Sequence, residues 1–260
     1  MVWHLAKIAQ GHKILSFLIH SFASRDQAIN LYAKPVMFNA YLLTFLGSVL
    51  SAANISHAEV VYIKDFSIDR TEVTVAAFAE YAKLEDIVTQ AEKQGGGYEW
   101  AAGWKRRIGW TYKSPQGKLA AFDEPAVHVT WDEASAYCAY TGGRLPTRDE
   151  WILSAFTELR EEPHGEYQKG KVYRYPVGDT PMGMNNNRSH HLSVKTTKKG
   201  VNGLFDMGGN VWEWLADRRE DEALTAGGSW WYGPEKSTAN GLQWKPTGFY
   251  AVYIGFRCVY

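Results

Sequence analysis

An irregular, loop-rich α+β domain with low regular secondary structure is the fold class this sequence predicts. Three observations predict it. The chain carries 24 Gly and 11 Trp in 260 residues. Its helical periods are few and short, and its strand-like runs are shorter still. Glycine-rich backbone pinned by large aromatic plugs fits a chain that folds through turns rather than long ladders. The alternative use of so many aromatics is an aromatic-lined ligand surface.

The first element is apolar. From Phe38 to Ala58 there is no Asp, Glu, Lys or Arg, and Lys34 stands just before. The core, Tyr41 to Leu50, has the length of a signal-peptide h-region and is short for a membrane span. Ser56-His57-Ala58 places small residues at −3 and −1 of a cleavage site. Residues 37–58 are therefore read as a secretory signal, with an uncleaved anchor as the alternative. Residues 1–36, mixed in character, read as an N-terminal extension that the mature protein lacks, or as a long n-region. A periplasmic or secreted protein with no stable membrane span after cleavage is expected.

The domain proper runs from Glu59 to Tyr260. Val60–Ile63 reads as a short strand. Asp65–Thr74 alternates, and Thr74 then caps an Ala-rich helix from Val75 to Lys83. Gln94–Lys118 is Gly-rich and aromatic without a period, and reads as a surface excursion. Thr130-Trp-Asp-Glu133 is a capping box, in which the Thr hydroxyl and the Glu carboxylate each satisfy a free N–H of the first turn. Ala134, Tyr137, Cys138 and Thr141 then share a helical face that Gly142-Gly143 ends. Thr147 with Glu150 repeats the box and opens a helix to about Arg160. Residues 161–202 show little regular structure. The adjacent pair His190-His191 reads as surface loop.

Lys plus Arg and Asp plus Glu are each 28, a formal charge of zero. That balance offers no electrostatic footprint for nucleic acid. A small-molecule or peptide ligand is the expected partner; oligomeric state is not legible.

Several blocks together carry a resemblance: Ile68-Asp-x-x-Glu-Val-Thr74, Pro125-x-x-x-Val-Thr-Trp131, Gly143-Arg-Leu-Pro-Thr147, Gly203-Leu-Phe-Asp-Met-Gly-Gly-Asn-Val-Trp-Glu-Trp214, Gly227-Gly-Ser-Trp230 and Gly255-Phe-Arg-Cys258. In this combination the chain resembles the formylglycine-generating-enzyme (sulfatase-modifying factor) superfamily, whose fold is related to C-type lectins. It departs by lacking the Gly-Gly-x-Phe-x-Met-Gly strand that ordinarily precedes the first block.

The resemblance implies a structural Ca²⁺ in the fourth block, with side-chain oxygens from Asp206 and Glu213 and main-chain oxygens from Gly209 and Val211. Carboxylates and carbonyls on a bent backbone are what this hard cation takes. A turn acid and a cap acid with no metal is the plainer alternative. A second Ca²⁺ site could begin at Asn185-Asn-Asn187, but Arg188 to Asn202 supplies no acidic partner. Cys138 and Cys258 match cysteines that the formylglycine enzymes pair as a structural disulfide, and a lone pair in an exported chain reads the same way. Two free thiols are the alternative.

The family's copper-binding thiolates follow its Gly-Gly-Ser. Here those positions are Tyr232 and Ser237, so formylglycine generation by two thiolates is not expected; the catalytic residues and any catalytic metal are unknown. Substrate-groove candidates are Trp212, Ser229, Trp231, Tyr232, Ser237 and Tyr250. Trp212 also suits a core role, as does Trp230. The branch with iron held by three histidines uses a helical bundle that this chain lacks. The expected activity is oxidative maturation of a small aromatic metabolite, as in the pyoverdine-maturation branch. A non-catalytic binding module on the same fold is the alternative, and sulfatase modification a lesser one.

Overall fold

The computed structural model describes residues 59–260; the predicted extension (1–36) and signal segment (37–58) lie outside the described residues. β1 (Val60–Ile63) and β2 (Phe66–Asp69) form an antiparallel hairpin. α1 (Val75–Leu84) starts where the sequence places it, with Thr74 Oγ1 accepting from the Ala77 N–H at 3.3 Å. α2 (Gln90–Lys93) is a single turn held by a capping box of Thr89 and Glu92 that the reading missed. α3 (Trp131–Tyr140) and α4 (Arg148–Phe156) each open on the predicted capping box.

Two expectations change. Gln94–Lys118 contains a ribbon rather than plain excursion: β3 (Gly96–Trp100) pairs antiparallel with β4 (Trp104–Ile108). Every residue of β4 is exposed, so no hydrophobic alternation marks it in the sequence. The last helix stops at Phe156 instead of near Arg160. Thr157 turns extended and bridges to Val172, and backbone pairing there replaces the next helical turn. Between 161 and 202 the only helix is a 3₁₀ turn at Val201–Gly203, as the low regularity predicted.

The main sheet has four strands in the order β7-β6-β5-β8: β5 (Trp212–Arg219), β6 (Glu222–Ala226), β7 (Gln243–Pro246) and β8 (Ile254–Gly255). β5–β6–β7 is an antiparallel meander and β8 joins β5 in parallel. The C-terminal residues then zip between two distant segments. Val259 bridges both Ile68 and Arg144, and the Asp69 N–H donates to the Cys258 carbonyl at 2.9 Å. The disulfide Cys138–Cys258 fastens this closure to α3, across a sequence separation of 120. No described cysteine is free.

The core has two principal clusters. One gathers Phe78, Tyr112, Tyr137, Trp212, Trp214 and Phe256 between α1, α3 and the sheet. The other sets Trp151 and Phe156 of α4 against Leu204, Met207, Leu215 and Leu224. Trp plugs fix their orientation by donating inward: Trp214 Nε1 to the Val129 carbonyl (3.1 Å) and Trp131 Nε1 to the Leu215 carbonyl (2.7 Å). Among the described residues, no helix is long and apolar enough to cross a membrane.

Candidate functional site

The Gly227-Gly-Ser-Trp-Trp-Tyr232 loop leaves β6 through two left-handed glycines, φ 90° and 72°. A Cβ on Gly228 would stand 2.9 Å from Ser237 Oγ, so the turn admits no larger residue without displacement. Asn186 clamps the loop from outside: its Nδ2 donates to the carbonyls of Ser229 (3.4 Å) and Tyr232 (3.1 Å). The Asn triplet is thus loop scaffolding. Asn185 Nδ2 donates to Asn210 Oδ1, and Asn187 Oδ1 accepts from the Ser189 and His190 N–H groups.

The six groove candidates divide. Trp231 and Tyr232 are half-buried and line an aromatic face. Trp212 is buried, yet its ring lies 5.5 Å from that of Tyr232 and so backs the same face. Ser229 and Ser237 are fully buried and serve the turn: Ser237 Oγ accepts from the Gly209 N–H at 3.1 Å, and Ser229 Oγ from the Trp231 N–H at 3.4 Å. Tyr250 is buried against Tyr98, 5.3 Å between rings.

The sequence reading missed the other half of this surface. The β3–β4 ribbon carries Trp100 and Trp104, each 45% exposed and edge to face with one another. Trp104 packs on Phe249 at 4.7 Å and Tyr253 at 6.3 Å, and Tyr253 lies 6.1 Å from Trp231. Tyr253 Oη accepts from the Trp100 N–H at 2.9 Å, which ties the ribbon to the face. Two Trp flanking a three-residue turn was the available signal, obscured by a run with no period.

Lys245 was also missed. Its Nζ lies 4.6 Å from the Trp212 ring centroid and 3.0 Å from Gln243 Oε1. Gln243 and Lys245 are two apart on β7 and so share a face of that strand. Burial, reinforced by the Lys236 charge, pulls its ammonium down to about 8.

A second feature lies beneath the Gly203–Trp214 block. Arg257, fully buried, holds Glu213 bidentately: Nε to Oε2 at 2.8 Å and Nη2 to Oε1 at 2.7 Å. Its remaining donors reach the Asp69 and Phe205 carbonyls, and Trp151 Nε1 adds a third bond to Glu213, at 2.7 Å. Around this pair sit three more buried carboxylates, Asp69, Glu72 and Asp206. Burial pushes all three up; for Glu72 the charge of Asp206 adds to the effect, and Asp69 reaches about 6.

Residues 35–260 match the family model described as "Sulfatase-modifying factor enzyme 1-like domain". The chain belongs to this family. It is 32% identical over 186 residues to the formylglycine-generating enzyme of Streptomyces coelicolor, covering 60% of this chain and 59% of that one. It is 30% identical over 207 residues to the inactive Cα-formylglycine-generating enzyme 2 of Mus musculus, covering 66% of each. A hercynine oxygenase of Mycolicibacterium smegmatis is 30% identical over 183 residues, covering 61% of this chain and 39% of that one. The chain therefore spans about three fifths of the length of the first of these relatives. Among solved structures, PvdO from Pseudomonas aeruginosa shares the fold at TM-score 0.54 and 19% identity, covering 75% of this chain and 79% of that one. CarF does so at 0.52 and 23%, covering 78% and 92%.

Set in this family, the Gly-Gly-Ser loop has no sulfur. Tyr232 and Ser237 occupy the expected thiolate positions, and the chain's two cysteines are both in the disulfide. The calcium ligand set also reads differently in three dimensions. Glu213 gives both oxygens to Arg257 and Trp151, and Asp206 accepts from the Lys195 N–H (3.0 Å) and Thr197 Oγ1 (2.6 Å). No three His, Cys, Asp or Glu side chains converge as a metal cluster among the described residues. Yet among the described residues the buried acids outnumber the buried guanidinium of Arg257, and Glu72 Oε2 and Asp69 Oδ1 have no hydrogen-bond partner. Asp206 and Asn210 hold left-handed φ of 60° and 48°, so the backbone is sharply bent where main-chain oxygens would be needed. Asp206 and Glu213 thus have their carboxylate oxygens engaged by protein donors, and Glu72, an acid outside the predicted set, keeps one oxygen that no protein group satisfies.

Among the described residues the histidines do not gather. His128 is buried and stands against Gly97, where an added Cβ would lie 2.1 Å from its ring. His191 corrects the surface-pair reading: it is buried and bonded to Glu124 at 2.8 Å, whereas His190 is exposed.

Proposed function

We propose that this protein is an exported oxidoreductase of the sulfatase-modifying-factor family. It acts on a small flat aromatic molecule, in the manner of the pyoverdine-maturation branch. The observation that carries the reading is an aromatic surface of exposed or half-buried Trp231, Tyr232, Trp100 and Trp104, backed by buried Trp212 and Tyr253, beside a Gly-Gly-Ser loop with no thiol. Planar rings at these spacings suit stacking on a planar ligand. A formylglycine route through two thiolates has no residues here to supply it.

Structural Ca²⁺ belongs to the same proposal, held by Glu72 and Asp206 with the Gly209 and Val211 carbonyls; Glu213 would join only by releasing Arg257. The ion would offset the surplus buried negative charge and steady the Gly203–Trp214 turn. The catalytic metal is left unassigned.

Oxygen uptake with catechol-type substrates, measured on metal-reconstituted protein, tests the reading. Uptake with product formation is expected, and none from a sulfatase-motif peptide. Conversion of that peptide would overturn it. The second reading, a non-catalytic ligand-binding module, is favoured by the similarity to a relative named inactive. Saturable aromatic binding without turnover under any metal would select it.

A further inference from the structure

The inner end of the aromatic face is rich in donors and poor in acceptors. Lys245 Nζ sits over Trp212 with a neutral amide, Gln243, as its hydrogen-bond partner, and Lys236 is near enough for its charge to act on it. Neither lysine forms an ion pair with a described carboxylate. The buried indole N–H groups of Trp212 and Trp230 have no hydrogen-bond partner. An unmet buried donor is costly, because its water shell is lost with nothing in exchange. The Trp212 donor, on the ring that the Lys245 ammonium covers, makes with that ammonium an arrangement suited to an oxygen anion.

We propose that this end of the face is an anion subsite, in which Lys245, supported by Lys236, holds the carboxylate of an aromatic acid whose ring stacks on the Trp231–Tyr232 surface. The inference rests on reading the face as the ligand site and adds the substrate class: an anionic aromatic rather than a neutral one. Partial burial strengthens the ammonium–carboxylate attraction over its value in open water. Burial, with the Lys236 charge second, lowers the ammonium to about 8, and a carboxylate bound beside it would favour its charged form. Tyr232, whose ring lies 5.5 Å from that of Trp212, is raised by burial and stays neutral.

The test is calorimetric titration of the full chain with 4-hydroxybenzoate and, separately, with the isosteric neutral 4-hydroxybenzamide. The acid should bind at least about tenfold tighter. Lys245→Met should abolish that preference while its melting temperature and circular dichroism stay those of the wild type; Lys236→Met should reduce it; Lys245→Arg should retain most of it. Equal affinity for acid and amide, absence of binding by both, or an undiminished preference in Lys245→Met would overturn the proposal. Failure here is separable from failure of the oxidase reading. Preferential acid binding without oxygen uptake removes only the oxidase. Oxidation of neutral catechols with no preference for acids removes only the subsite.

Discussion

Removing the Cys138–Cys258 bond should cost this domain a large part of its stability. The bond closes a loop of 120 residues, with both sulfurs fully buried. In the chain-entropy treatment, a crosslink of that span withholds about 16 cal/mol/K from the unfolded chain, about 5 kcal/mol at 25 °C. A domain of this size loses roughly 2–4 °C in melting temperature per kcal/mol, so a fall of about 10–20 °C is expected for Cys138→Ala/Cys258→Ala. The C-terminal closure should loosen first. Val259 and Tyr260 are held by backbone bonds to Arg144 and Ser67, and Cys258 is the covalent tie beside them. The assay is thermal unfolding by circular dichroism of the wild type and the double variant, with hydrogen exchange at Val259. Alkylation of denatured, non-reduced wild type should label no thiol. Two labelled thiols, or a melting temperature within about 3 °C of the wild type, would refute the argument.

Other outcomes follow from the buried charges. Arg257→Met leaves Glu213 with only the Trp151 N–H and no compensating charge at zero exposure beside other buried acids; urea denaturation should show a loss of about 3–5 kcal/mol, and Arg257→Lys, which keeps charge but not the fork, a smaller one. For the proposed cation, chelation should lower the melting temperature and added Ca²⁺ restore it, with Glu72→Gln abolishing the response; identical melts in chelator and in millimolar Ca²⁺ would count against it. Burial lowers His128 to about 4, so its contribution to stability is present above pH 6.5 and declines as pH falls from there towards 4, by up to about 3 kcal/mol. Asp69, raised to about 6, runs oppositely, adding stability as pH falls from 6 towards 3.8. The pair nearly cancels in the wild type, so His128→Gln should gain stability at pH 4 relative to pH 7 when compared with the wild type; parallel profiles would sink the assignment. Finally, a Cβ at position 209 would lie 2.4 Å from the Asn185 carbonyl oxygen at a φ of 78°, so Gly209→Val should destabilise markedly in the same denaturation assay.

Local features of this chain were legible one element at a time. The boxes at Thr130–Glu133 and Thr147–Glu150 and the cap at Thr74 mark helix starts because each N-cap is satisfied by residues within three positions. The family blocks located the Gly-Gly-Ser loop, the acidic turn and the two cysteines, since turn chemistry and motif spacing are written in consecutive residues. What the sequence could not announce depends on groups meeting across long separations. Glu213 reads as a free acid until Arg257, 44 positions away, closes on it; Glu72 reads as one letter of a strand motif until Asn210, 138 positions away, donates to it. In the β3–β4 ribbon the buried residues of β3 are two glycines and β4 is exposed throughout, so no periodicity betrays it, yet its Trp100 and Trp104 complete the aromatic face. Lys245 looks like any strand-edge lysine until Trp212 comes beneath it. Capping, turns and signatures are short-range and survive in one dimension. Charge partners, burial and the walls of a binding surface exist only once the chain has closed on itself, because desolvation and Coulomb energies depend on distance in space, not along the sequence.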